Sequence, residues 1–186
     1  MLGQEAGRLN YTELRVTAVL ESRIDDPALA EAGAERIKWY REKMDLVRAF
    51  RRRYELERPF AGKRLLVCMH CEPKAAVRTE ALLAGGAERI VFVGNLGSTK
   101  PYTAAYLAAL PNVTVLARRD DTLDDLQRSV AAAMEESFDL MMDNGAALMQ
   151  QYWRQREKWK PLGAIEEPRS GRLILDRGGI KPDFPV

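Results

Sequence analysis

The chain has 186 residues, the length of one ordinary domain, with 46% hydrophobic and 30% charged residues, so it can bury a core without disulfides or metals. Its 29 lysines and arginines against 27 aspartates and glutamates leave a formal charge of +2, which argues against a nucleic-acid or membrane-surface partner. No apolar run is long enough to span a membrane and the N-terminus lacks the apolar stretch of a signal peptide, so a cytoplasmic protein is expected.

Residues 1–12 are polar and read as an arm, and the alternation of Leu14 to Leu20 predicts a short extra strand; residues 1–27 are set apart on this basis. From Pro27 to Tyr54 the apolar residues Ile37, Tyr40, Met44, Val47, Phe50 and Tyr54 recur every three or four positions, the period of a helix face. Gly33 marks a break into two helices, and Pro59 and Gly62 end the segment. Within it, Arg51-Arg52-Arg53 lies among Glu42, Asp45, Glu55 and Glu57 and reads as a solvated face. Trp39 and Leu46 add apolar groups on other sides of the segment, which suggests a homodimer.

Short apolar runs then alternate with amphipathic helices. Leu65 to Met69 reads as a strand, followed by a helix that opens at Pro73 and closes at Gly85-Gly86. Arg89 to Val93 is a second strand, with a helix from Pro101. Val113 to Leu116 is a third, with a helix capped by Asp121 or Thr122. Leu140 to Met142 is a fourth, followed by a helix over about residues 146–158. Alternating, continuously apolar strands and helices predict an α/β fold: a doubly wound, Rossmann-like parallel sheet with helices on both faces, preceded by a long helical segment. Ligands of such sheets bind beyond the carboxyl ends of the strands. That rule selects residues 69–73, 94–99, 117–121 and 143–146, with the polar turn Glu166-Glu167 nearby.

Several residues in these loops can carry chemistry. His70 ends the first strand, where an imidazole can serve as acid, base or donor, or be simply structural. Asn95, Ser98 and Thr99 precede a helix and can bind a ligand or cap the helix. Asp143-Asn144-Gly145 is either an Asx-type turn or a pair of ligand contacts. Cys68 and Cys71 form a C-x-x-C spacing with His70 between them, but no second Cys/His cluster exists, so two reduced thiols and no metal are expected. Neither G-x-G-x-x-G nor G-x-x-x-x-G-K-[ST] follows a strand, so no dinucleotide site is expected.

Taken together, five motifs resemble the adenosylhomocysteinase family. Arg64 to His70, followed by Ala81-Leu82-Leu83-Ala84-Gly85-Gly86-Ala87-Glu88, resembles the family's C-L-H-x-T strand end and its helix closing on G-A-E. Asn95-Leu96-Gly97-Ser98-Thr99 is similar to N-x-x-S-T-Q-D, Met142-Asp143-Asn144-Gly145 to L-D-D-G, and Gly163-Ala164-Ile165-Glu166-Glu167 to G-x-x-E-E-T-T-T-G. The stretch from Arg36 to Gly62 aligns as well, so the resemblance covers about residues 28–186. It implies the substrate-binding domain of enzymes that cleave adenosylhomocysteine with a bound NAD. By the same resemblance His70, Asn95, Ser98, Thr99, Asp143 and Glu167 surround the nucleoside, with His70 and Glu167 near the ribose.

Departures from the family pattern cluster in that pocket. Glu72 stands where the family has an adenine-holding threonine, and Lys74 where it has a glutamate that reads the adenine edge. Asn144 replaces a catalytic aspartate, Pro168 and Arg169 replace two ribose-binding threonines, and Lys100-Pro101 replaces Gln-Asp. Gly179-Ile180-Lys181-Pro182 resembles the strand that leads to the family's catalytic lysine and aspartate. Those two residues and the NAD-binding domain have no counterpart in the 186 residues, so no cofactor is expected.

The preferred expectation is an enzyme repurposed to act without NAD on a small polar metabolite, adenosyl- or methionine-derived. His70 and Glu167 would be catalytic, and Glu72, Lys74, Asn95, Ser98, Thr99, Asp143, Asn144 and Arg169 would bind the ligand. The alternatives are a non-catalytic nucleoside-binding module and one subunit of a split enzyme.

Overall fold

A computed structural model describes residues 20–186. The strand expected at 14–20 lies, but for Leu20, outside the described residues. Helices α1 (Ala30–Lys43) and α2 (Asp45–Glu57) come first. They are followed by β1 (Arg64–Met69), α3 (Pro73–Ala84), β2 (Arg89–Gly94), α4 (Pro101–Ala108) and β3 (Val113–Leu116). The chain continues through α5 (Leu123–Glu135), β4 (Leu140–Asp143), α6 (Ala147–Arg154), β5 (Gly163–Glu166) and α7 (Arg169–Arg177). The five strands form a parallel sheet in the order β3-β2-β1-β4-β5.

Alternation along each strand divides the core in two. Leu65, Val67, Met69, Ile90 and Phe92 face α1, α3 and α4, whereas Leu66, Cys68, Val91 and Val93 face α5, α6 and Leu175 of α7. Helices therefore cover both faces, as the apolar strands predicted. The same alternation settles the C-x-x-C spacing. Cys68 and Cys71 belong to opposite cores, and each has 0% exposure, so they neither pair nor share a ligand.

Four local expectations are corrected. The first helical segment breaks at Met44 (φ −102°, ψ 67°) and not at Gly33, which lies inside α1. Gly33 serves close packing: a Cβ there would come within 2.1 Å of the Tyr102 carbonyl oxygen on α4. Gly33→Ala is therefore expected to destabilise the fold by about 1–3 kcal/mol, as overpacking does, measured by chemical denaturation. An unchanged midpoint would mean that α1 and α4 separate freely.

The helix expected over 146–158 ends at Arg154 and gives way to a 3-10 turn over Arg156–Lys158. Glu166, read with Glu167 as a polar turn, instead ends strand β5, which residues 163–166 form beside β4. The strand suggested at 179–182 is not formed. Instead the tail folds back, with Pro185 accepting a hydrogen bond from the Ala164 amide at 2.9 Å and Phe184 edge-on to Tyr152. β5 and the tail stayed illegible because each is short and its pairing is non-local.

At the other edge of the sheet, Arg23 bridges to Leu116, and its guanidinium holds Asp121 at 2.6 and 2.9 Å, so β3 does not present a bare edge. Trp39 and Leu46 are 57% and 70% exposed. None of the helices among the described residues is long and apolar enough to cross a membrane.

Candidate functional site

In this strand order the chain reverses direction across the sheet between β1 and β4, so the ends of these two strands leave a crevice between the helices that follow them. His70 follows β1, Asn95 follows β2, Asn144 follows β4 and Glu167 follows β5. Residues from four distant points of the sequence therefore meet at one end of the sheet.

A hydrogen-bonded chain joins them. Cys68 donates its Sγ–H to Asn95 Oδ1 at 3.3 Å, and Asn95 Nδ2 donates to the Asn144 carbonyl at 2.7 Å. Asn144 Nδ2 in turn donates to Glu167 Oε2 at 3.1 Å. Arg78, on α3, closes the chain with a charge-assisted pair to Glu167 and a contact of 3.4 Å to Met69 Sδ. His70 is exposed at the end of β1, close enough for its charge to favour the Glu167 carboxylate.

Charge states follow from these contacts. Partial burial pushes the Glu167 pKa upward, but Arg78 and Asn144 outweigh it, and the carboxyl is held below its usual range. Glu167 is thus an anion and an acceptor at neutral pH, poorly suited to donate a proton. The Asp143 carboxyl is pushed up to about 7 by burial and by the nearby Glu166 charge, against the amide hydrogen bonds that favour its anion. Burial likewise raises Cys68 well above an ordinary thiol, with Asp143 and Glu166 adding to it, and raises Cys71 to about 12. Neither cysteine is poised as a thiolate.

The remaining expected residues separate into crevice and foundation. Glu72, half-buried, occupies the N-cap position of α3 but makes no side-chain cap, and Lys74 and Arg169 are exposed in the first turns of α3 and α7. These three face solvent at the mouth. Ser98 donates to the Asn95 carbonyl at 2.8 Å and shapes its loop.

Asp143 and Thr99, expected as ligand contacts, lie beneath the crevice. Asp143 is 0% exposed and spends its oxygens on the Asn144 and Met149 amides at 3.0 and 2.9 Å, which anchors the start of α6. Thr99 is 5% exposed and packs against Gly94, where a Cβ would sit 2.9 Å from its Oγ1. Burial removes both from direct reach of a ligand in this conformation.

Sequence reasoning missed Arg78. Its available signal was position: four residues after Lys74 it lies on the same face of α3, the face that looks across to β5. It also missed Glu80, which is tied to Arg41 at 2.7 and 2.8 Å and to Tyr106 at 2.6 Å. Glu80 borders a cavity of about 480 Å3 with Arg41, Arg51 and Tyr106. That cavity lies among the helices away from the strand ends, and its charged groups pair with one another. Among the described residues no cluster of three or more His, Cys, Asp or Glu side chains is arranged to hold a metal ion.

Comparison with known proteins identifies a family. The family model described as S-adenosyl-L-homocysteine hydrolase matches residues 21–179. An adenosylhomocysteinase of Gloeothece citriformis is 32% identical over 171 residues, covering 90% of this chain and 39% of the relative. The adenosylhomocysteinase of Aquifex aeolicus is 30% identical, covering 90% and 41%. An S-inosyl-L-homocysteine hydrolase of Methanopyrus kandleri is 34% identical, covering 89% and 40%. The chain thus spans about two-fifths of the length of these relatives. With the match running through β1 to α7 and every crevice loop, the chain belongs to the S-adenosyl-L-homocysteine hydrolase family.

Proposed function

We propose that this chain binds a small polar metabolite of the S-nucleosyl-homocysteine type in the strand-end crevice and acts on it without NAD. The observation that carries the reading is the Cys68–Asn95–Asn144–Glu167–Arg78 chain, which presents one fixed carboxylate beside an exposed histidine. In this reading Glu167 accepts hydrogen bonds from ligand hydroxyls, and His70 alone carries the proton. Asn144 orients the ligand, since an amide cannot serve as a base. Lys74, which offers donors only, and Glu72, which as an anion offers acceptors only, read the distal part of the ligand. Because relatives named for adenosyl and for inosyl substrates match equally well, both bases belong in the test.

A second reading, binding without turnover, draws support from the same ion pair. Arg78 keeps Glu167 from acting as an acid, which leaves one proton-handling group instead of two.

Isothermal titration with adenosylhomocysteine and with its inosyl counterpart, each with and without NAD, is the test. Micromolar binding that weakens about ten- to a hundredfold in Glu167→Gln, the size of one charged hydrogen bond, is expected without NAD. No binding of either thioether, or binding indifferent to Glu167, would overturn the proposal. Turnover lost in His70→Ala would select the enzyme, and equal binding without turnover the second reading.

A further inference from the structure

Glu166 stands beside Glu167 in the chain, yet its contacts give it a distinct task. It ends β5 in register with Asp143 on β4, and its two oxygens accept hydrogen bonds from the Gly145 and Ala146 amides at 2.8 and 2.9 Å. Those two residues have φ of +101° and +63°, consecutive left-handed conformations of which the second carries a Cβ. Such backbone persists where its surroundings hold it in place. Helix α7 supplies the room: a Cβ on Gly171 would fall 1.8 Å from Glu166 Oε1, so the carboxylate reaches the turn only past a glycine. Immediately before this turn stands Asn144, whose amide donates to Glu167 and whose carbonyl accepts from Asn95.

We infer that Glu166 is a positioning residue: its carboxylate clamps the Gly145–Ala146 turn, and this sets where Asn144 meets Glu167 and Asn95 at the crevice. Glutamine at this position would keep one acceptor and turn an N–H toward a backbone N–H. The effect on a ligand rests on the proposed function above, whereas the effect on the turn does not.

The test is amide NMR on the full chain in the wild type, Glu166→Gln and Gly171→Ala. The second variant displaces the carboxylate without removing it, so the test survives if the first fails to fold. In both variants hydrogen exchange at Gly145 and Ala146 is expected to speed up about tenfold, the factor for one charged hydrogen bond. The Asn144 side-chain amide resonances should shift as they do in Glu167→Gln, with the β1–β2 ladder unchanged.

Unaltered exchange and unaltered Asn144 resonances would overturn the assignment, and so would a uniform loss of protection across the sheet, which marks a merely structural role. Thioether binding adds a separate arm: in an Asn144→Ala background Glu166→Gln should cost no further affinity, and an additional tenfold loss would overturn the assignment. A wild type that binds neither thioether would defeat the function proposal while leaving the NMR result to decide this one.

Discussion

Arg78→Met is expected to weaken adenosylhomocysteine binding at pH 7 by about ten- to a hundredfold, the range for a lost hydrogen bond to a charged group. The larger signature is in the pH dependence. In the wild type Glu167 is held below the ordinary carboxylate range, because Arg78 and Asn144 outweigh partial burial. Its contribution is therefore present above the ordinary glutamate pKa of about 4.3 and fades as pH falls through the depressed value.

Removing the guanidinium leaves burial, which favours the neutral acid, opposed by Asn144 and by His70. The carboxyl should then titrate at higher pH than in the wild type, so on acidification the variant loses affinity earlier than the wild type does. Titration at three pH values checks this, with the Glu167 carboxyl carbon followed by NMR. Parallel pH profiles for the two proteins would show that Arg78 does not set the charge of Glu167.

Glu80→Ala is expected to be the most destabilising single change, at about 2–4 kcal/mol. Glu80 is 8% exposed and receives Arg41 through two nitrogens, Arg51 at 3.2 Å and the Tyr106 hydroxyl, which ties α1, α2 and α4 to α3. Burial and the hydrogen bond to Glu80 also push the Tyr106 phenol up to about 12, so it remains a donor throughout the working pH range. Truncation leaves Arg41 without its carboxylate and Tyr106 without its acceptor at the helix interface. Because about a third of the Arg41 side chain reaches solvent, the cost stays below that of a fully buried pair. For a chain of this size the loss corresponds to a drop of roughly 4–16 °C in Tm. Thermal unfolding of Glu80→Ala beside Glu80→Gln checks it, the glutamine keeping one acceptor and most of the packing. A shift of less than 1 °C for the alanine variant would show that the cluster adds nothing net.

Local patterning carried most of the fold. The strands β1 to β4 and the helices α3 to α5 were legible because each is a continuous apolar run or a 3.6-residue stripe bounded by Pro, Gly or a capping residue. Thr122 with Asp125 forms a capping box. Those signals are intrinsic to a few neighbouring residues, and parallel strands buried on both faces permit few other arrangements. His70, Asn95 and Asn144 were legible for the same reason: each lies at the end of a strand that the sequence shows, so topology alone brings them to one end of the sheet. Glu167 stood out only through the G-x-x-E-E resemblance, because β5 was not legible.

Whatever depends on which distant group a side chain meets was decided by the tertiary structure. Arg78 is an ordinary helical arginine until β5 brings Glu167 to it, 89 residues further along the chain. Asp143 and Thr99 have the polarity of ligand contacts, and only the packing of α6 and of Gly94 buries them. Gly33 looks like a helix breaker in sequence and proves to be a contact point, because α4 lies against it. By itself, then, the sequence determined the order of most elements and the family, and pointed to one end of the sheet as the candidate site. Folding decided the charge of Glu167, the burial of Asp143 and the clamp at Glu166, since desolvation and ion pairing depend on three-dimensional distance and not on spacing along the chain.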